Sequence, residues 1–262
     1  VHRYVALGDS FTEGLDDLRP DGTYRGWADL LAMHLVQRTP DLAYANLAVR
    51  GRRIAHVGDD QLPEALRMRP DLVSLAIGGN DITGPSCDVP ALGAQFREIV
   101  ARLADSGARL VVFAGFDTRP MIPLSRTVSA RASEYNEHIR ATAREFGATL
   151  VDLWPLPRLY EPQMWGADRL HLSSAGHRLV ARAVVEALGD DAGAIPEPPP
   201  SDAPDPARVR RLADDAGWAV EHLLPWFVRA ARGRSSGDGI EPKRPRLAPV
   251  SPVRASDTTR SA

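Results

Sequence analysis

Five short apolar runs punctuate the chain: Arg3–Leu7, Ala43–Leu47, Leu72–Ile77, Arg109–Ala114 and Thr149–Leu153. The third and fourth are almost unbroken in apolar residues, the pattern of strands covered on both faces. Between the runs the period changes. Trp27, Leu30, Leu31, His34 and Leu35 recur at i, i+3, i+4, i+7 and i+8, one stripe of a helix. Leu92, Phe96, Ile99, Val100 and Leu103 form a second stripe, and helices are also expected at 54–68, 125–146 and 173–188. Strands that alternate with helices predict an α/β fold, a parallel sheet with helices on both faces. Such sheets bind ligands at the carboxyl ends of their strands, near a switch in strand order.

The pattern breaks after residue 188. Residues 189–206 carry Pro196, Pro198, Pro199, Pro200, Pro204 and Pro206, which reads as a stiff, extended linker. Leu212, Ala216, Ala219, Leu223 and Phe227 then share a helical face within 207–231, with Pro225 expected to kink it. Residues 232–262 are rich in Pro, Ser, Gly and Arg, with seven basic residues against three acidic, and read as a basic, disordered tail.

Composition narrows the chemistry. The chain has 262 residues, 44% hydrophobic and 25% charged, enough to bury a core. A formal net charge of −2 gives no global reason to bind nucleic acid. The single cysteine, Cys87, excludes an internal disulfide and a zinc site with two or more cysteine ligands from this chain. No apolar run is long enough to span a membrane. Val1 leads straight into Tyr4–Leu7, with no basic and apolar leader between. That reads as a cytoplasmic protein, with a processed secreted form as the alternative.

The candidate chemistry lies at strand ends. The first run closes in Gly8-Asp9-Ser10-Phe11-Thr12-Glu13-Gly14, which would expose Ser10 at the functional edge. Ala48-Val49-Arg50-Gly51 follows the second run, and Gly78-Gly79-Asn80-Asp81 the third. The Asn80 amide and the unshielded Gly51 N–H are the kind of donors an oxyanion hole needs. Asp168 and His171 lie three apart after the fifth run, a spacing that lets the carboxylate orient the imidazole. Turn and cap chemistry explains each block taken alone. His177, the nearest rival histidine, falls inside a predicted helix. A magnesium site at Asp9, Asp81 and Asp168 would leave Ser10, Asn80 and His171 unexplained. Gly-x-Ser-x-Gly, the mark of a nucleophile elbow, occurs only at Gly233–Gly237, where no strand precedes it.

Taken in order, Gly8-Asp9-Ser10, Gly51, Gly78-Gly79-Asn80-Asp81 and Asp168-x-x-His171 resemble the SGNH hydrolases, or GDSL family of lipases and esterases, over residues 3–188. The resemblance implies a three-layer α/β/α sandwich around a five-stranded, flavodoxin-like parallel sheet. It implies Ser10 as nucleophile, His171 as base and Asp168 as the residue that orients it. The oxyanion hole would comprise the Ser10 and Gly51 N–H groups and the Asn80 amide. Phe11 stands where family members often carry an aliphatic residue, a departure that would narrow the acyl pocket. The expected activity is hydrolysis of a small-molecule acyl ester through an acyl-enzyme, with no metal or other cofactor. Two alternatives stay open: an acyltransferase using the same residues, and a non-catalytic protein whose basic tail binds an acidic partner. Neither the substrate's acyl and alcohol parts nor the oligomeric state is legible.

Overall fold

The structure, a computed structural model, describes residues 1–84, 86–119, 126–198 and 235–250. In chain order it contains β1 (Arg3–Gly8), α1 (Ser10–Glu13), α2 (Gly26–Leu35), β2 (Ala43–Asn46) and α3 (Ile54–His56). A π-helical turn (Val57–Gln61) joins α3 to α4 (Leu62–Arg67). Then follow β3 (Leu72–Ala76), α5 (Gly79–Ile82), α6 (Val89–Asp105), β4 (Arg109–Ala114), α7 (Arg126–Phe146), β5 (Thr149–Asp152) and α8 (Ser174–Ala187). A last strand, β6 (Arg244–Pro249), closes the series.

The sheet runs β5-β4-β3-β1-β2-β6. The first five strands are parallel, in the flavodoxin-like order expected, and β6 is antiparallel to β2. The chain leaves β1 for β2 on one side and then crosses back past β1 to β3 on the other. The switch in strand order therefore falls between β1 and β3, where an open sheet leaves a crevice for ligands.

Alternation along the strands divides the core. Tyr4, Ala6, Val111 and Phe113 face α2 and α8, together with Trp27, Leu31, Val180 and Val184. Val5, Leu7, Leu110 and Val112 face the opposite layer, with Leu62, Phe96, Val100 and Ile139. Every residue of the two predicted helical stripes is buried. Each fully buried Leu, Ile or Phe here contributes about 1.5–3 kcal/mol relative to exposure, so these faces hold the three layers together. No described helix is long and apolar enough to cross a membrane.

Two parts of the sequence reading change. The tail from 232 onward was expected to be disordered, yet Arg244–Pro249 is an edge strand. It adds a sixth strand to the expected five. Prolines mislead here because an edge strand needs ladder hydrogen bonds on one side only, so Pro245 and Pro249 are tolerated. Part of the tail's basic charge is also used within the fold. Lys243 Nζ pairs with Asp29 Oδ1 at 3.0 Å and donates to the carbonyls of Tyr24 and Arg25. The Arg244 guanidinium lies over the Tyr44 ring, 5.1 Å from its centroid. The start of the predicted linker is packed as well: Ala192 and Ile195 are buried, and Arg182 donates to both of their carbonyls. The predicted helix at 207–231, and the linker beyond residue 198, lie outside the described residues.

Candidate active site

β1 delivers Ser10 to the switch point. Its last residue, Gly8, is gripped by Gln61 from the π-helical turn: Gln61 Oε1 accepts from Gly8 N at 2.9 Å, and Nε2 donates to Gly8 O at 2.8 Å. The amide thus holds both backbone groups of Gly8 at the end of the strand. Asp9 caps α1, its Oδ1 accepting from Phe11 N at 3.1 Å. The cap sets the turn that presents Ser10 as the first residue of α1.

The second element is the loop that presents His171. Trp165 and Leu172 form a β-bridge that brings the loop back on itself. Arg169 adopts a left-handed φ of 54°, and Asp168 Oδ1 accepts from the backbone N–H of Leu170 at 2.9 Å and of His171 at 3.0 Å. This turn folds the Asp168 carboxylate back over the imidazole. Asp168 Oδ2 lies 2.6 Å from His171 Nδ1, and His171 Nε2 lies 3.0 Å from Ser10 Oγ. The bond to Asp168 sets the tautomer: the proton sits on Nδ1, leaving Nε2 to accept from the serine.

Electrostatics agree with that geometry. Burial works against a protonated His171, but the Asp168 carboxylate outweighs it, with Asp16 and Asp9 adding to the effect. The imidazole pKa is therefore held above its ordinary 6.5. Burial likewise pushes the Asp168 carboxyl upward, and its bond to His171 more than reverses this, leaving it below the usual carboxylate range.

Asn80 enters from α5, which starts on Gly78 at φ 110°. Its Nδ2 donates to Asp9 Oδ2 at 3.1 Å and to Arg52 O at 3.0 Å. Both amide hydrogens are thus engaged, which the sequence did not foretell. Burial pushes the Asp9 carboxyl up to about 7, and Asp81 to about 6. Asp81 Oδ2 accepts from Ile54 N at 3.1 Å and ties the β3 loop to α3.

Gly51 sits at φ +71°, a left-handed conformation that favours glycine. Its N–H, like that of Ser10, donates to no group among the described residues. The preceding residue is held by Glu13, a buried carboxylate that accepts from Arg50 N at 2.7 Å and pairs with the Arg50 guanidinium. Glu13 and Gln61 were invisible to sequence reasoning, since each acts across tens of residues.

His177 has a different task. Its Nε2 donates to Leu15 O at 2.9 Å, and its Nδ1 accepts from Trp27 N at 3.2 Å. Burial pushes its pKa down to about 4, so it is a neutral clamp between the Ser10 loop and α2. Phe11 is partly buried against the core. Its ring packs on Trp27 and Phe113, at centroid distances of 5.8 and 5.7 Å. Asp9, Asp81 and Asp168 do not gather as a metal site. Among the described residues, the metal-competent group is Asp16, Asp168 and His171, with one ligand atom each within 4.8 Å of the others. Two of these three are already committed to the Ser10 relay.

Solved structures share this fold. An α/β hydrolase enzyme, LAE5, from the metagenome of Lake Arreo, Spain, superposes with a TM-score of 0.61 at 24% identity, covering 72% of this chain and 95% of its own. Axe2, an acetylxylan esterase from Geobacillus stearothermophilus, gives 0.59 at 18% identity, covering 73% and 95%. A putative GDSL-like lipase from Parabacteroides merdae gives 0.62 at 18% identity, covering 71% and 95%. At these identities the likeness speaks for the fold. No curated protein matches the chain. The model of the GDSL-like Lipase/Acylhydrolase family, however, matches residues 6–179. That span runs from within β1 into the first half of α8, with Ser10, Gly51, Asn80, Asp168 and His171 all inside it, and the chain belongs to this family of hydrolases.

Proposed function

We propose that the protein is a serine-dependent acyl-ester hydrolase working through an acyl-enzyme. The observation that carries this reading is the relay from Asp168 Oδ2 to His171 and on to Ser10 Oγ, with bonds of 2.6 and 3.0 Å. His171 Nε2 takes the Ser10 proton as Oγ attacks the ester carbonyl. The imidazolium so formed is stabilised by Asp168 and gives its proton to the departing alcohol. Water, activated by the same nitrogen, then attacks the acyl-serine and releases the acid. Atoms and protons balance at each step, and the chain's own groups suffice.

The negative charge on the tetrahedral oxygen requires donors aimed at the point where it develops. The free N–H groups of Ser10 and Gly51 supply two. Asn80 supplies the third when one of its amide hydrogens turns from Asp9 or Arg52 to the substrate. A structural neighbour is in keeping with a serine and histidine mechanism: catalytic mutants of Axe2 replace a serine and a histidine with alanine.

The test is to trap the intermediate. Quenching a reaction with p-nitrophenyl acetate in acid, followed by peptide mass spectrometry, should find an acetyl group on Ser10. Steady hydrolysis with no acylated serine at any quench time would refute the mechanism.

A further inference from the structure

The C-terminal segment beyond the family match returns to the active edge. β6 lies against β2, the strand that leads into the Arg50–Gly51 loop. Lys243, the only lysine, anchors the segment on Asp29. Just before it, a turn folds onto that loop. Ser235 Oγ donates to Gly51 O at 3.1 Å and accepts from Gly237 N at 3.1 Å. The contact is intimate: a Cβ built on Gly237 would stand 2.1 Å from Arg50 O, and one on Gly51 would stand 2.4 Å from Ser235 Oγ. Ser235 is the central serine of the Gly-x-Ser-x-Gly match that no strand precedes.

The chemistry of a peptide plane makes this contact matter. The N–H of Gly51 and the C=O of Arg50 belong to one rigid plane and point in opposite directions. Blocking the carbonyl end with Gly237 therefore fixes where the N–H points. Ser235 pins the next plane, Gly51–Arg52, through its carbonyl. Glu13 holds the plane before, through Arg50 N. A glycine in the left-handed region is otherwise free to swing. An oxyanion donor lowers the barrier only if it is already aimed when charge appears.

We propose that Ser235 and Gly237 are positioning residues of the active site, locking the Gly51 N–H toward Ser10. The proposal rests on the reading of Gly51 as an oxyanion donor. The segment is then a working part of this enzyme, although it lies outside the region shared with the family.

The test uses the full-length chain with p-nitrophenyl acetate, measuring kcat, KM and melting temperature on the same samples. Ser235→Ala should lower kcat roughly tenfold, less than the 10²–10³ typical of losing a donor outright, with KM and melting temperature nearly unchanged. Ser235→Thr keeps the hydroxyl and should restore kcat. Gly237→Ala, which drives a methyl group into Arg50 O, should lower kcat further. Wild-type kcat in Ser235→Ala, or a loss no greater than its loss of folded protein, would overturn the proposal. Absence of hydrolysis by the wild type, or its persistence in Ser10→Ala, would instead overturn the underlying hydrolase reading.

Discussion

Asn80 Nδ2 lies 3.1 Å from Asp9 Oδ2, so the proposed third oxyanion donor is held by the residue that precedes the nucleophile. Asn80→Ala should lower kcat by about 10²–10³, roughly 2.7–4 kcal/mol, with KM little changed. Asn80→Asp should be at least as harmful. It sets a carboxyl beside Asp9, whose own pKa burial already pushes to about 7, and it removes the amide hydrogens. Kinetics and thermal melting on the same preparations check this. A folded Asn80→Ala protein with normal kcat would remove Asn80 from the site.

The pH profile follows from His171. As the proposed base it must be neutral, so kcat/KM should be low below its pKa and rise as pH passes through it. Against burial, Asp168 first and then Asp16 and Asp9 raise that pKa, so the acid limb should lie above the ordinary 6.5. Asp168→Asn should move the limb to lower pH while lowering the plateau, because the imidazolium loses its main stabiliser. A pH–rate series on both proteins decides it. An unmoved limb would show that Asp168 does not govern the base.

His177 predicts a pH dependence of stability, not of catalysis. Burial lowers its folded pKa to about 4, against 6.5 when unfolded. Between those values the unfolded chain binds a proton that the folded chain refuses. Stability should therefore fall as pH drops from 6.5 toward 4, with this residue contributing on the order of 3 kcal/mol. Urea melts at pH 7 and pH 4.5 should show a smaller acid loss in His177→Gln than in the wild type. The same variant should keep most of its kcat at neutral pH.

Lys243 predicts that the C-terminal strand bears on stability. Asp29 is buried and accepts from Lys243, from Tyr44 Oη at 2.8 Å and from Arg19 at 3.2 Å. Lys243→Ala leaves one carboxylate lone pair and two backbone carbonyls without their donor. The expected cost is about 1–3 kcal/mol by urea denaturation. No change would mean that β6 docks without this anchor.

The parallel sheet was legible because buried strands and amphipathic helices leave periodic traces. Val73, Leu75 and Val112 could hardly be anything but core. That Ser10, Asp168 and His171 meet was legible because each follows a strand, and the fold gathers strand ends at one edge. β6 was hidden because its prolines and arginines carry no apolar period, and its pairing with β2 spans about two hundred residues of separation. The π-helical turn that aims Gln61 at Gly8 leaves no trace either, since a single π-turn within a helix has no period of its own. The Glu13–Arg50 pair shows the same limit: composition reveals the charges, but not that one is buried against the Arg50–Gly51 loop.

The central claim is that Ser10 is the nucleophile, and covalent labelling tests it most directly. The full-length protein treated with a fluorophosphonate and digested should carry the label on Ser10 and on no other serine. Ser10→Ala should take up no label and lose ester hydrolysis while melting like the wild type. A label on another serine, or full hydrolysis by Ser10→Ala, would contradict the account.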